Sequence, residues 1–180
     1  GKGVISTFEI GPDGRAGPTR VVLERPHHLS YPQVFARDGQ IWMMPEASAG
    51  RVLELFRAVR FPDQWELVTC LAEGEYHDAT FHAGPDRLWI LANQSSYRSS
   101  TWDALSILHA DTLLGPWKAH AANPVVVDAG VARPAGELRT ISGQLWRPAQ
   151  VCASADGRAL AWCRVDALPP ERFEQTVVAP

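Results

Sequence analysis

The chain contains, at residues 34–42, the stretch VFARDGQIW, in which Asp38-Gly39 separates two apolar runs and the second run ends in tryptophan. Asp-Gly between apolar runs predicts a β-hairpin, because both central residues of the tight turn need positive φ. The pattern recurs with variations at residues 80–89, TFHAGPDRLW, and at residues 138–146, LRTISGQLW. Three copies of one strand–turn–strand unit indicate an internal repeat.

A second landmark follows each copy of the first. Apolar runs at residues 53–58, 105–110 and 160–165 each lead to an aromatic residue, namely Trp65, Trp117 and Phe173. These aromatics lie 52 and 56 residues apart, and the tryptophans that end the first unit lie 47 and 57 apart. We assign most of these tryptophans to packing: Trp42, Trp65, Trp89, Trp117 and Trp146.

Each repeat of about fifty residues holds four strand-like runs, which is typical of a β-propeller blade, a four-stranded antiparallel sheet. A β-sandwich with coincidental tryptophans is the alternative, and two landmarks in phase favour the propeller. The phasing predicts an all-β chain with blades at residues 27–73, 74–126 and 127–180, preceded by the outer half of a blade at residues 1–26. About three and a half blades leave unpaired strand edges, which proteins usually avoid. We therefore expect an excerpt of a longer propeller, or a propeller completed by self-association or by another chain.

Composition excludes several classes of partner. A net charge of −3 without basic runs argues against a nucleic-acid partner, and no apolar stretch approaches the ~18 residues of a membrane span. The first residues hold no apolar signal core, so we expect a cytoplasmic protein.

The sequence also argues against a metal or a cofactor. The three cysteines lack metal spacing and are expected to be buried free thiols in a reducing compartment. The six histidines lack ligand spacing, and no phosphate-binding or dinucleotide-binding motif occurs, so we expect neither a metal nor a cofactor.

Six short phrases carry a resemblance to a known family. The chain resembles the N-terminal five-bladed propeller domain of glucosamine inositolphosphorylceramide transferases and their bacterial relatives, some of which are fused to formyltransferase-like domains. This domain is in turn similar to the propellers of furanosidase-type glycoside hydrolases. The phrases are HLSYP at 28–32, MPE at 44–46, DAT at 78–80, LGPW at 114–117, RPAG at 133–136 and RPAQ at 147–150.

The resemblance implies a bacterial, carbohydrate-recognising propeller associated with a transferase module. Related hydrolases place a base, a modulator and an acid on inner strands of different blades, and Asp78 matches the position of the modulator. The expected position of the acid reads Arg133-Pro134, a departure that argues against hydrolysis. If the chain is an enzyme, we expect a glycoside hydrolase-like one that uses Asp78 and Glu46 together with a carboxylate on the missing inner strand.

Inner strands of a propeller converge on the axis, so polar residues there are the candidate site. Successive residues of a strand alternate faces, so either His77 or Asp78 points at the axis. We favour Asp78, and a role in tying down the turn of the blade is the alternative. Arg133 and Arg147 each precede proline; each is either a guanidinium fork for an anionic group of the ligand or half of a buried pair with Asp78 or Glu46. An ionised, arginine-bound carboxylate is unsuited to donating a proton.

The remaining candidate ligand-binding residues supply an aromatic face, amides and imidazoles. An aromatic face covers the C–H side of a pyranose, and amides offer a donor and an acceptor to hydroxyl pairs. These residues are His28, Tyr31, His77, Asn93 and Gln150. Three functions stay open at this stage: a carbohydrate-recognising propeller accessory to a glycosyl- or formyl-transferase module, a glycoside hydrolase-like enzyme, and a protein-interaction scaffold.

Overall fold

The computed structural model describes residues 1–95, 100–153, 155 and 157–179. The chain divides into two compact units, Gly1–Glu73 and Gly74–Pro180. The described residues form antiparallel sheets and no α-helix, which confirms the prediction of an all-β chain. No helix in the described part of the chain is long and apolar enough to cross a membrane.

The first unit holds one small and one four-stranded sheet. The small sheet pairs β1 (Ile5–Thr7) with β2 (Arg20–Leu23). Between these strands the chain turns at Asp13-Gly14, where Gly11 donates its N–H to the Arg15 carbonyl. The four-stranded sheet has the order β3-β4-β5-β6, so each strand pairs with its neighbours in sequence. The strands are β1 (Ile5–Thr7), β2 (Arg20–Leu23), β3 (Ser30–Arg37), β4 (Gln40–Glu46), β5 (Val52–Arg60) and β6 (Gln64–Glu73), with a 3-10 turn at Ser48–Gly50.

The second unit holds two further meanders. One has the order β7-β8-β9-β10, with β11 also paired to β9, and the other has the order β12-β13-β14-β15. The strands are β7 (Tyr76–Ala83), β8 (Leu88–Gln94), β9 (Ala104–Ala110), β10 (Lys118–Ala119), β11 (Val126–Val127), β12 (Arg139–Ile141), β13 (Gln144–Val151), β14 (Ala159–Ala167) and β15 (Glu174–Ala179). The β12–β15 sheet has four strands, and the other sheet has four strands in sequence order with β11 as a fifth.

The tight turns follow the predicted chemistry. Asp38 and Gly39 between β3 and β4 have φ of 50° and 72°, and Ser142 and Gly143 between β12 and β13 have 51° and 76°. Both pairs therefore adopt the positive φ that a two-residue turn of this type needs. The turn fixes the register, with Arg37 opposite Gln40 and Ile141 opposite Gln144.

The core of the second unit lies between its two meanders. Strand β8 is buried from Leu88 to Asn93 and lies inside the sheet, between β7 and β9. Its Trp89 and Leu91 pack with Leu105, Ile107, Ala132, Leu138 and Val165. Strand β14 instead alternates, with Ala161, Cys163 and Val165 buried and Leu160 and Trp162 exposed. One face of the β12–β15 sheet is thus covered and the other is open.

The cysteines are free thiols, but one of them is not where the sequence led us to expect it. Cys152 and Cys163 are buried, whereas Cys70 is exposed. The expectation of burial was wrong for Cys70 because it lies on β6, at the edge of its sheet.

Two histidines of the second unit are held in environments that disfavour their charged form. Burial lowers the pKa of His82, against an opposing effect of the Glu137 carboxylate. Burial also lowers the pKa of His109, and the nearby Arg87 guanidinium, which donates to His109 Nδ1 at 3.1 Å, lowers it further.

We expect stability to fall as the pH drops below 6.5, the ordinary pKa of histidine. Below this pH the unfolded chain binds protons that His82 and His109 resist in the folded chain, so protonation favours unfolding. The measurement is urea unfolding at pH 7 and pH 5, for the wild type and for a variant with both His82→Gln and His109→Gln. The variant should lose less stability between the two pH values, and an equal loss in the two proteins would contradict the assignment.

Candidate functional site

The inner strands β3 and β7 carry the same irregularity near their N-terminal ends. The register of β3 with β4 shifts between Ser30 and Gln33, and that of β7 with β8 shifts between His77 and Thr80. Tyr31 and Asp78 lie in these bulges with φ of 43° and 49°. A non-glycine residue at positive φ stores strain, and a bulge changes the direction of a side chain. Sequence periodicity carries no signal for such a bulge.

The Asp78 carboxylate is the centre of a polar cluster within the second unit, here called the Asp78 cluster and made of Asp78, Arg133 and Gln150. Its Oδ2 accepts from Arg133 Nε at 2.5 Å and from Gln150 Nε2 at 2.7 Å. The side chains of Asp78 and Arg133 are only 6% and 16% exposed. Of the two interpretations that the sequence left open for Arg133, the structure has the buried pair with Asp78.

The third meander brings Arg133 and Gln150 to this point by pairing short pieces of chain. Pro134 bridges to Ala149, and the Gln150 N–H donates to the Arg133 carbonyl at 2.8 Å. The Gln150 side chain also donates to the Pro134 carbonyl at 2.8 Å, which fixes its amide beside Asp78. Three polar side chains from two sheets are thereby held in one arrangement.

Arg147 lies apart from this cluster and is fully buried. Its guanidinium donates to the carbonyls of Val131 and Ala132 and, at 2.8 Å, to Gln175 Oε1. Burial lowers the pKa of Arg147 to about 10, which leaves it charged at neutral pH. Among the described residues of the second unit it forms no ion pair, so Asp78 is not its partner. The arrangement instead anchors the segment immediately before Arg133.

The side chain of Gln175 was not singled out from the sequence. Arg147 is opposite Cys163 on β14, and Gln175 is opposite Val165 on the same strand. Cys163 and Val165 are two residues apart and therefore point to the same face, so Arg147 and Gln175 share that face. Such a relation depends on strand register, which single residues do not reveal.

Two further candidates lie near Asp78 on neighbouring positions of β7 and β8. His77 is opposite Asn93 in the register, and its Nε2 lies 3.2 Å from Ser95 Oγ. The Asn93 side chain is fully buried, and neither of its amide atoms has a hydrogen-bond partner in the part of the chain that the structure describes.

The other candidates belong to the first unit. Glu46 is 8% exposed at the end of β4 and accepts from Ser48 Oγ at 2.9 Å. His28 Nδ1 accepts from the Gly3 N–H at 2.8 Å, and Tyr31 lies in the bulge of β3.

Among the described residues, no group of three or more His, Cys, Asp or Glu side chains is arranged to hold a metal ion. The chemistry of the Asp78 cluster is that of hydrogen bonding. Its carboxylate and guanidinium cancel in net charge, and the Arg133 contact stabilises the ionised form of the carboxyl group. Such a carboxylate is a hydrogen-bond acceptor and a poor proton donor.

Comparison with solved structures identifies the class of fold. The α-L-arabinanase of Cellvibrio cellulosa complexed with arabinohexaose aligns with 96% of this chain and 68% of its own, at a TM-score of 0.67 and 14% identity. The exo-β-1,3-galactanase of Phanerochaete chrysosporium with galactose aligns with 92% of this chain and 40% of its own, at a TM-score of 0.66 and 12% identity. The protein therefore has the β-propeller fold of family-43 glycoside hydrolases.

Sequence comparison then gives the family. Residues 15–179 match the family described as Glucosamine inositolphosphorylceramide transferase 1, N-terminal, and the chain belongs to it. The protein named glucosamine inositolphosphorylceramide transferase 1 in Oryza sativa subsp. indica is 32% identical over 161 residues, which are 88% of this chain and 22% of that protein. Its namesake in Arabidopsis thaliana is 29% identical over 164 residues, 89% of this chain and 21% of that protein.

These comparisons confirm the resemblance to the family. They contradict the expectation of a bacterial protein, since these relatives are from plants. The chain spans about a fifth of the length of these curated relatives.

Proposed function

We propose that this chain is a carbohydrate-recognising propeller domain, accessory to a glycosyl- or formyl-transferase module in a longer protein, and that the Asp78 cluster contacts the sugar. The observation that carries the proposal is the convergence of Asp78, Arg133 and Gln150 at a strained bulge. Strain of this kind persists only where the surroundings hold it, and it is concentrated at functional sites. Relatives of the fold solved with arabinohexaose and with galactose support a saccharide as the ligand class.

The electrostatics of the cluster favour a neutral polyol over an ion. A carboxylate paired with a guanidinium presents acceptors and donors without net charge, which suits hydroxyl groups. The fixed amide of Gln150 reduces the side-chain entropy lost on binding. The same ion pair weighs against the hydrolase alternative, in which a carboxyl group must donate a proton.

We further propose that the meanders are blades of a five-bladed propeller whose other blades lie outside this sequence. Trp89 is 5% exposed beneath the next meander, whereas its repeat counterpart Trp146 lines an open groove of about 360 Å³ with Ile141 and Trp162. Ile141 and Trp162 are 53% and 40% exposed. An apolar face of this kind is the surface that a further blade covers.

The binding test uses a glycan array probed with the 180-residue chain and with a longer polypeptide that includes flanking sequence. Gln150→Ala should weaken binding about fivefold, because it removes a fixed hydrogen-bonding amide worth roughly 1 kcal/mol. Gln144→Ala, at the other end of the same strand, is the matched control and should bind like the wild type.

Each outcome of this test has a meaning. Equal affinity of the Gln150→Ala and Gln144→Ala proteins would remove the Asp78 cluster from the sugar site. Stronger binding by the longer polypeptide would support the proposed additional blades, and equal binding would speak against their contribution. Turnover of aryl-glycosides that disappears in Asp78→Asn would favour the hydrolase alternative.

A further inference from the structure

A second cavity lies within the second unit, away from the Asp78 cluster. It has a volume of about 400 Å³ and is lined by the turn between β7 and β8, by Leu145 at the start of β13, and by the loop between β14 and β15. We call it the rim cavity. Its lining includes His82, Gly84, Asp86, Arg87, Trp89 and a group of prolines. A volume of this size is within the range of small-molecule sites.

The rim cavity is separate from the Asp78 cluster because the two lie towards opposite ends of the same strands. His82 follows Asp78 by four residues on β7, a separation of about 13 Å along an extended strand. Leu145 precedes Gln150 by five residues on β13, or about 16 Å. A ring-sized ligand in the rim cavity therefore does not reach Asp78.

The walls of the rim cavity are held in place by hydrogen bonds. The carbonyl of Pro169 accepts from His120 Nε2 at 2.8 Å, and that of Pro170 accepts from the Ala121 N–H at 3.0 Å. On the opposite side, the Gly84 N–H donates to the Arg87 carbonyl at 2.9 Å. Protein interiors are close-packed, so a space of this size between anchored walls is preformed for a ligand.

Gly84 keeps the edge of Trp89 open to the cavity. A Cβ at this position would lie 3.0 Å from Trp89 Nε1 and 3.0 Å from the Arg87 carbonyl oxygen. Any other residue would crowd the indole N–H and narrow the space in front of it.

The lining combines apolar rings with a few polar groups. Pro85, Pro169 and Pro170 give rigid apolar walls. The Arg87 guanidinium lies 3.7 Å from the Asp111 carboxylate, so its charge is already paired, and Asp86 adds a carboxylate that offers hydrogen-bond acceptors. Burial favours the neutral form of His82 by lowering its pKa. Apolar ring faces beside such donors and acceptors match the C–H face and the hydroxyl groups of a sugar ring.

We infer that the rim cavity is a second binding site, specific for a neutral pyranose or furanose ring and independent of the Asp78 cluster. The anchored walls explain why the site exists without a ligand, and the apolar rings beside a carboxylate and a paired guanidinium explain the ligand class. A charged sugar phosphate would gain no net attraction there.

The test is a titration of the 180-residue chain with D-galactose and with L-arabinose, monitored by two-dimensional ¹H–¹⁵N correlation NMR. Binding should shift the indole N–H of Trp89 and the amide of Gly84 in a saturable manner. Gly84→Ala should weaken this binding at least fivefold, and Asp86→Ala provides a second variant at an exposed position. Gly17→Ala is the control, since its Cβ would meet no atom closer than 3.5 Å.

The residues whose NMR signals shift distinguish this inference from the proposed function. Saturable shifts at Trp89 that weaken in Gly84→Ala and Asp86→Ala but not in Gly17→Ala support the rim cavity. Shifts confined to the side-chain amide of Gln150 overturn the rim cavity and leave the Asp78 cluster as the sugar site. The absence of a saturable shift at Trp89 with either sugar also overturns it.

Discussion

Replacement of Asp78 by asparagine should lower the free energy of unfolding by about 2–3 kcal/mol. Removing one partner of a buried ion pair usually costs roughly 3–5 kcal/mol, and the partial exposure of Arg133 reduces this figure. Asparagine keeps the shape of the side chain and tolerates the positive φ of this position, so the loss reports the charge. Urea unfolding of the two proteins at neutral pH measures it.

Two controls distinguish the ion pair from other effects at this position. Asp166→Asn removes one partner of the Arg164–Asp166 pair on the open face of the β12–β15 sheet, and it should destabilise the chain far less than Asp78→Asn, because solvent screens an exposed pair. Asp78→Ala should cost about 1–2 kcal/mol more than Asp78→Asn, because alanine is strained at a φ of 49°. If Asp78→Asn were as mild as Asp166→Asn, the buried pair would not be the stabilising element that its geometry indicates.

A double-mutant cycle of Asp78→Asn with Arg133→Met measures the coupling between the two side chains directly. We expect a coupling energy of about 2 kcal/mol, in the range found for residues of one buried network. The same coupling energy also reports whether other residues keep the Asp78 and Arg133 side chains in contact.

The sequence predicted those features of the fold that depend on local chemistry. The Asp38-Gly39 turn, the four-stranded sheets and their repeat follow from turn residues and from the period of the tryptophans, each of which is visible in a short window. The position of Cys70 did not follow, because burial of an edge strand depends on what covers it.

The sequence allowed us to predict which residues form the candidate site, but not which of their side chains contact one another. Asp78, Arg133 and Gln150 were all identified from short phrases, and they do meet. What the sequence left undecided was which arginine would pair with Asp78, since that depends on the register of β13 and on the path of residues 131–135. A one-residue difference in register moves every side chain of a strand to the other face.

Arg147→Met should also destabilise the chain, by about 2–4 kcal/mol. Two carbonyls and the Gln175 amide oxygen would lose their donors, at roughly 1–3 kcal/mol each. Against this loss stands relief from burying a charge, since burial disfavours the charged form of Arg147 and lowers its pKa to about 10. The free energy lost with three hydrogen bonds exceeds this relief, so the substitution lowers the free energy of unfolding.

The matched control is Arg164→Met, on the open face of the same sheet opposite Trp146, which should change stability by less than about 1 kcal/mol. Arg147→Lys should not rescue the loss, because an ammonium lacks the planar fork that reaches both carbonyls and Gln175. If Arg147 positions Arg133 through the segment before it, the Asp78–Arg133 coupling energy should fall by at least half in the Arg147→Met background. A coupling that stays unchanged while stability falls would restrict Arg147 to packing, and the path of residues 131–133 would then be held by the pairing of Pro134 with Ala149.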